Sequence, residues 1–245
     1  MPFKLHRRLA SHLGYDLQKF NKQLLLETHL RSLLPLLEID LVIDVGANQG
    51  QFARMLRDEV GYVGTIHSFE PLPDAYLALQ IASHLDAGWH VHNVALGDCD
   101  ATLNLNGSHH SKFSSVHDVN ARGSAKFRKG IAVARSASAP VRRLDSLMDD
   151  LVPDFAKRRA FLKMDTQGHD KWVFEGLGNL ARRFVGLQSE LSVMGIEGVP
   201  DYVEMLDLYR SNGFELTGAY TVNRCRETGC IVQMGCVFAS LQHAP

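Results

Sequence analysis

A short apolar run that ends in a glycine turn constrains the fold of this chain more than any other feature. Residues 41–45 are apolar apart from Asp44, and Gly46 and Gly50 follow them. Such a run indicates a strand buried in a parallel sheet, where ligands bind at the carboxyl ends of the strands. Because glycine has no Cβ, the backbone can approach a ligand closely. The segment from Asp44 to Gly50 therefore predicts a ligand-binding turn.

The spacing within this turn limits the kind of ligand. Dinucleotide-binding enzymes show G-x-G-x-x-G after the first strand, but here Asn48 stands where the middle glycine would be. We therefore expect no close pyrophosphate cradle, and the turn favours a ligand without phosphate over a nicotinamide cofactor.

Two further segments favour a nucleoside ligand. Glu70, in Phe69-Glu70-Pro71, lies at the end of the next predicted strand, where a carboxylate can accept both ribose hydroxyls. Pro71 ends that strand and helps to hold Glu70 at its tip. After the third predicted strand, the apolar pair Ala95 and Leu96 could flank an adenine ring.

Strand and helix patterns alternate along the chain. Strands are predicted over 41–45, 65–69, 89–95, 161–164, 184–191, 213–217 and 231–239, with helices over 48–60, 73–84, 145–151, 170–177 and 200–212. Asp145 and Ser146 are predicted to cap the helix that ends near residue 151. This order predicts a doubly wound, Rossmann-like α/β sheet that is mostly parallel, with an antiparallel last strand. Residues 1–37 read as a basic helical cap, and residues 38–245 as the main domain.

Residues 97–139 interrupt the alternation, apart from a short strand predicted over 101–105. We interpret this polar stretch as a lid over the site, with plain disorder as the alternative. Its candidate proton-transfer or ligand-binding side chains are His109, His110, His117, Ser114 and Ser115. Its basic side chains could follow nucleic-acid phosphates, but aromatic residues for base stacking are sparse, so no nucleic-acid partner is expected.

Composition excludes several classes of protein. The net charge of the 245 residues is −1, so no overall field favours nucleic acid or anionic lipid. Four cysteines are too few for a disulfide scaffold and are expected as reduced thiols; a zinc site from Cys225, Cys230 and Cys236 is the alternative. No signal peptide or apolar stretch of about 18 residues is evident, so a cytoplasmic protein with at most peripheral membrane contact is expected. The sequence leaves open whether the protein forms a homodimer.

These motifs together resemble class I S-adenosylmethionine-dependent methyltransferases, and two more segments narrow the resemblance. Leu162-Lys163-Met-Asp165-Thr-Gln-Gly168-His-Asp170 and Arg143-Leu144-Asp145-Ser146-Leu147 are similar to the FkbM family, over roughly residues 40–240. That family often has Glu-Gly-x-Glu where this chain has Gln167-Gly168-His169-Asp170. The resemblance implies an O-methyltransferase acting on sugars, polyketides or other secondary metabolites.

The resemblance also implies roles for the site residues. The turn Asp44, Gly46, Asn48 and Gly50 would hold the methionine part of the cofactor, and Glu70 its ribose. Ala95, Leu96 and Asp145 would lie near the adenine or the substrate.

A hydroxyl acceptor is a very weak acid, so its proton must be removed during methyl transfer. Asp165, His169 and Glu190 could hold Mg²⁺ or Mn²⁺, because they lie at or near the tips of adjacent predicted strands. Alternatively, Asp165 or a histidine such as His169 acts directly as the base, or Asp165 is only a helix cap that pairs with an exposed Lys163. We expect methyl transfer to a sugar or glycolipid hydroxyl. Another small-molecule hydroxyl, RNA, or a purely binding role are the alternatives.

Overall fold

A computed structural model describes residues 26–105, 112–113, 137–195 and 198–240. The helices are α1 (Leu26–Leu36), α2 (Gln51–Met55, continued by a π-helical turn, Leu56–Val60), α3 (Pro73–Ser83), α4 (Leu144–Leu151), α5 (Asp170–Glu175) and α6 (Tyr202–Ser211). Short 3₁₀ turns span Phe155–Lys157 and Gly178–Arg183. The strands are β1 (Leu41–Val45), β2 (Thr65–Phe69), β3 (Trp89–His92), β4 (Ala95–Leu96), β5 (Ala101–Leu105), β6 (Lys112–Phe113), β7 (Ala137–Arg142), β8 (Ala160–Met164), β9 (Phe184–Ser192), β10 (Phe214–Arg224) and β11 (Ile231–Ser240).

Seven strands form the main sheet in the order β10-β11-β9-β8-β1-β2-β3. β9, β8, β1, β2 and β3 pair in parallel, whereas β11 lies antiparallel to both β9 and β10. The predicted mostly parallel sheet with an antiparallel last strand is therefore confirmed. All five residues of β1 and of β8 are buried, as their apolar composition requires for central strands covered on both faces.

Helices cover both faces of the sheet, so the fold is doubly wound. On one face, α1, α2 and α3 bury Leu30, Phe52 and Leu79 against β1 and β2. On the other face, helices α4, α5 and α6 bury side chains such as Met148 and Phe174. We refer to these as the α1–α3 face and the α4–α6 face. α1 is the described part of the predicted N-terminal cap. Its leucines pack on the main sheet, and the proposed boundary at residue 37 remains a prediction.

A second, smaller sheet was not predicted as such. Its strands lie in the order β4-β7-β5-β6, with β5 antiparallel to β7. The predicted strand over 101–105 is confirmed as β5, whereas the strand predicted over 89–95 splits into β3 and β4 because β4 leaves the main sheet to pair with β7. His109, His110, His117, Ser114 and Ser115 lie outside the described residues, so their lid role stays a prediction.

Candidate active site at the carboxyl edge of the sheet

Strand register places the predicted site residues in one row. Ser68, Asp44, Lys163 and Gln188 are partners across β2, β1, β8 and β9. Gly46, Glu70 and Asp165 directly follow β1, β2 and β8, and Glu190 lies two residues beyond Gln188 in β9. The carboxyl edge of the sheet therefore carries three carboxylates beside the glycine turn.

The glycine turn follows β1 and is fixed by contacts to β2 and β8. Gly46 has a φ of 71°, and a Cβ added there would lie 2.1 Å from the carbonyl oxygen of Asp165. Gly50 has a φ of 84°, and its Cβ would lie 2.7 Å from the ring of Trp89. Both positions require glycine for two reasons: a side chain would clash with neighbouring parts of the protein, and the backbone has a positive φ. Asn48 also has a positive φ, 49°, which asparagine adopts more readily than most residues.

Glu70 lies at the tip of β2 and faces the turn. Its Oε2 accepts a hydrogen bond of 2.8 Å from the Asn48 amide, and its Oε1 accepts one of 2.8 Å from the Leu72 amide. Burial raises the pKa of Glu70, whereas these two amides act in the opposite direction. An ionised carboxylate accepts about four hydrogen bonds, so each oxygen keeps capacity for one more donor, such as a ribose hydroxyl.

Asp44 is fully buried below the turn and does not reach the edge. Its Oδ1 lies 3.0 Å from Lys163 Nζ, and its Oδ2 accepts a 3.0 Å hydrogen bond from the Ser68 hydroxyl. Trp89 Nε1 donates to the same hydroxyl oxygen over 2.9 Å. Asp44 therefore supports the turn from below. Lys163 is buried and pairs with Asp44, so the alternative of an exposed ion pair between Lys163 and Asp165 is wrong.

The carboxylates after β8 and on β9 interact with each other. Asp165 is partly exposed, and its Oδ1 accepts a 2.9 Å hydrogen bond from Gln167 Nε2. Burial, followed by the charges of Asp165 and Asp170, raises the pKa of Glu190 to about 7, against a smaller lowering by Lys163. A carboxylate that titrates near neutrality suits general-base chemistry.

Asp170 holds this part of the edge together. Its Oδ1 accepts from the amide and hydroxyl of Thr166, at 2.9 and 2.6 Å. Its Oδ2 accepts from the Ser189 hydroxyl at 2.7 Å and from the Glu190 amide at 3.2 Å. The loop after β8 and the end of β9 are thus joined through one buried carboxylate. His169 lies just before α5, with its ring 5.1 Å from that of Trp172.

The donor set predicted for Mg²⁺ or Mn²⁺ does not fit a metal. Within the described ranges, no group of three or more His, Cys, Asp or Glu side chains is arranged to hold a metal ion, and Asp165, His169 and Glu190 all lie in those ranges. The zinc alternative gains no support either, because Cys225, Cys230 and Cys236 also lie in those ranges and form no such group.

Three predicted residues lie in different surroundings from those expected. Ala95 and Leu96 are buried in β4, only 6% and 4% exposed, which leaves little surface for an adenine ring. Asp145 is not a helix cap, because α4 begins one residue earlier with Arg143 at its N-cap. Its carboxylate is paired with the Arg143 guanidinium, at 2.9 Å from Nε. Their contacts with cofactor or substrate stay predictions.

Lys163 and Asp170 are the residues that sequence reasoning missed. A signal was available for Lys163, because a lysine inside a strand predicted to be buried must find a counter-charge. No comparable signal exists for Asp170, since an acidic residue at a predicted helix start is usually exposed.

A doubly wound sheet with a glycine turn beside an acidic strand tip defines an α/β protein whose ligand site is expected at the carboxyl ends of its strands. The family model for the Methyltransferase FkbM domain matches residues 44–216, well over half of the chain. The chain therefore belongs to the methyltransferase FkbM family, and the resemblance in its motifs is confirmed. A search of curated proteins gave no match.

Several solved structures are similar to this chain. The methyltransferase FkbM of Methylobacillus flagellatus aligns with a TM-score of 0.46 and 15% identity, over 81% of this chain and 44% of that chain. The fibrillarin of Aeropyrum pernix, solved with natively bound S-adenosyl-L-methionine, aligns with a TM-score of 0.46 and 11% identity, over 82% of this chain and 66% of that chain. The chain thus matches less than half the length of the FkbM structure. In the described part of the chain, none of the helices has the length and apolarity to cross a bilayer.

Proposed function

We propose that this protein transfers the methyl group of S-adenosylmethionine to a hydroxyl oxygen of a sugar or glycolipid. Membership of the FkbM family supports methyl transfer. The observation that carries the proposal is the position of Glu70. Its Oε2 accepts from the Asn48 amide of the glycine turn, its Oε1 accepts from the Leu72 amide, and each oxygen keeps capacity for a ribose hydroxyl. In this proposal, the turn from Gly46 to Gly50 lies beside the methionine part of the cofactor. Asp44 is buried beneath the turn and supports it.

The cofactor supplies an activated methyl group, so the protein must orient the acceptor and remove its proton. Glu190 is the base in this proposal, because it lies in the same row as Glu70 and its pKa is raised to about 7. Burial raises that pKa most, and the charge of Asp165 beside it adds to the rise. The acceptor proton passes to a Glu190 carboxylate oxygen as the methyl group moves to the acceptor oxygen. A direct base replaces the predicted metal, and Asp165 and His169, the bases predicted from the sequence, are the alternatives.

The test is transfer of labelled methyl from S-adenosylmethionine to a panel of methyl glycosides and glycolipids. We expect label on a hydroxyl oxygen, with a rate that rises through pH 7 because the ionised form of Glu190 is active. Glu190→Gln should lower kcat by about 10²- to 10⁴-fold, the usual contribution of a general base. Glu215→Gln is the matched control, because that carboxylate lies on the exposed side of β10 near Arg210.

Metal chelation separates the two ways of activating the acceptor. Transfer should survive EDTA at full rate if Glu190 acts as a direct base. Loss of transfer on chelation, restored by added Mg²⁺ or Mn²⁺, would contradict that role. Label on polyketide hydroxyls with none on glycosides would replace the proposed acceptor class.

A further inference from the structure

Lys163 is a buried charge in the middle of an otherwise apolar strand. Its side chain is 5% exposed, and its Nζ lies 3.0 Å from Oδ1 of Asp44, which is 0% exposed. Removing two charges from water costs about as much as their attraction returns, so a buried ion pair is weak evidence for a stabilising role. A well-packed apolar pair could fill the same space. The position of the pair therefore points to a role other than stability.

The ammonium group also binds the backbone of the glycine turn. Lys163 Nζ donates to the carbonyl oxygen of Gly46 over 3.0 Å and to that of Val45 over 3.4 Å. The ion pair with Asp44 converges on the same ammonium group. Both carbonyl groups point toward β8, where the Val45 carbonyl also accepts from the Asp165 amide over 3.1 Å. The amides of Gly46 and Ala47 donate in the other direction, to the Phe69 carbonyl over 3.1 Å.

The same charge acts on Glu70. The Lys163 ammonium lowers the pKa of Glu70 against the larger effect of burial, whereas the Asp44 carboxylate raises it less. From β3, the neighbouring titratable group is His92. Burial, followed by the charge of His90, lowers the pKa of His92 to about 4, so the His92 ring is neutral above that pH. Lys163 thus touches the turn and favours the ionised form of the carboxylate that faces it.

We propose that Lys163 is a positioning residue that sets the glycine turn and Glu70 for the nucleoside. It holds the Val45 and Gly46 carbonyls away from the ligand, so that the Asn48 amide stays on Glu70 and the carboxylate faces the ribose. This inference rests on the proposed function, since it assigns Lys163 to the cofactor site.

The test is calorimetric binding of S-adenosylhomocysteine from pH 5 to 9. Lys163→Met alone leaves the Asp44 carboxylate buried without its partner and is expected to fold poorly. The informative variant is therefore Asp44→Asn with Lys163→Met, which keeps a polar group for Ser68 and removes both charges. Its control is Lys171→Met with Glu204→Gln, which removes a lysine–carboxylate pair that is exposed on α5 and α6.

We expect the Asp44→Asn/Lys163→Met variant to melt cooperatively and to bind about tenfold more weakly at pH 7, the effect of losing a charge-assisted hydrogen bond. The pH at which affinity is half lost should also move slightly upward, because losing the Lys163 ammonium, which lowers the pKa of Glu70, outweighs losing the Asp44 carboxylate, which raises it less. The control variant should bind within twofold of the wild type. A folded variant with wild-type affinity, or with weaker binding and an unmoved pH midpoint, would overturn the inference. Absence of binding to the wild type would instead reject the proposed function.

Discussion

At the scale of single residues, the carboxyl edge places like charges close together in a partly buried setting. Glu190 lies beside Asp165 and Asp170, and these neighbours together with burial make its ionised form unfavourable. Catalytic groups commonly reduce the stability of the fold that holds them, because the property needed for reaction is the one that folding disfavours. Glu190 should therefore lower the free energy of unfolding at neutral and higher pH.

Replacing Glu190 by Gln should stabilise the protein above neutral pH. The folded-state pKa of about 7 exceeds the unfolded value, so the proton-linked stability is fully present below about pH 4 and is lost as the pH rises to 7. After allowance for solvent screening, the variant should gain about 1 to 2 kcal/mol at pH 8 and nothing at pH 4. Urea unfolding at both pH values measures this. An equal change at the two values would show that ionisation is not the cause.

At the scale of elements, the connection between β1 and α2 depends on glycine because two other parts of the chain press against it. The loop after β8 passes over Gly46, and the Trp89 ring of β3 lies against Gly50. The turn is therefore shaped by neighbouring strands before any ligand arrives. Such preorganisation reduces the entropy lost when the ligand binds.

Replacing Gly46 by Ala should disrupt the turn more than positive φ alone would. Gly61 is the matched control, since its φ is 79° and a Cβ there would meet nothing within 4 Å. Gly61→Ala should cost about 1 to 2 kcal/mol of unfolding free energy from backbone strain. Gly46→Ala should cost about 2 kcal/mol more, because the Asp165 carbonyl must move. Equal losses in denaturant unfolding would mean that the close approach to Asp165 is unimportant.

At the scale of the whole molecule, the site joins both layers of the fold. The row from Glu70 to Glu190 follows the carboxyl edge of the sheet, next to the glycine turn that leads into α2. Asp170 and Ser189 lie beside Tyr209 on the α4–α6 face, where the Tyr209 hydroxyl donates to Ser189 over 2.8 Å. Both layers of the fold therefore support the edge at which the ligand is proposed to bind. Ligand binding should therefore raise the stability of the entire domain.

Saturation with S-adenosylhomocysteine should raise the melting temperature cooperatively. A ligand at 100 times its Kd stabilises the folded state by about 2.7 kcal/mol. For a chain of this size, that corresponds to an increase of roughly 5 to 10 °C. Glu70→Gln should lose most of the increase, because a neutral amide is a weaker acceptor for two hydroxyls. If millimolar ligand did not change the melting temperature of the wild type, the proposed cofactor site at the carboxyl edge would be wrong.

Local sequence patterns were enough to predict the main alternation of strands and helices, the parallel sheet and the edge that carries the site. Periodicity and turn residues encode which residues face the core and where each strand ends, so Gly46, Glu70, Asp165 and Glu190 could be placed together. These properties are encoded locally, so they can be predicted without knowing which elements pack against each other.

Which side chains pair with each other could not be predicted from local patterns, because the partners come from distant parts of the chain. Asp44 and Lys163 are 119 positions apart, and their contact depends on β1 and β8 becoming neighbours in register. The burial of Leu96, the Asp145 ion pair with Arg143 and the poor fit of the metal donor set likewise depend on side-chain directions fixed by distant elements. Sequence patterns encode faces and ends, whereas partners are selected when those elements pack.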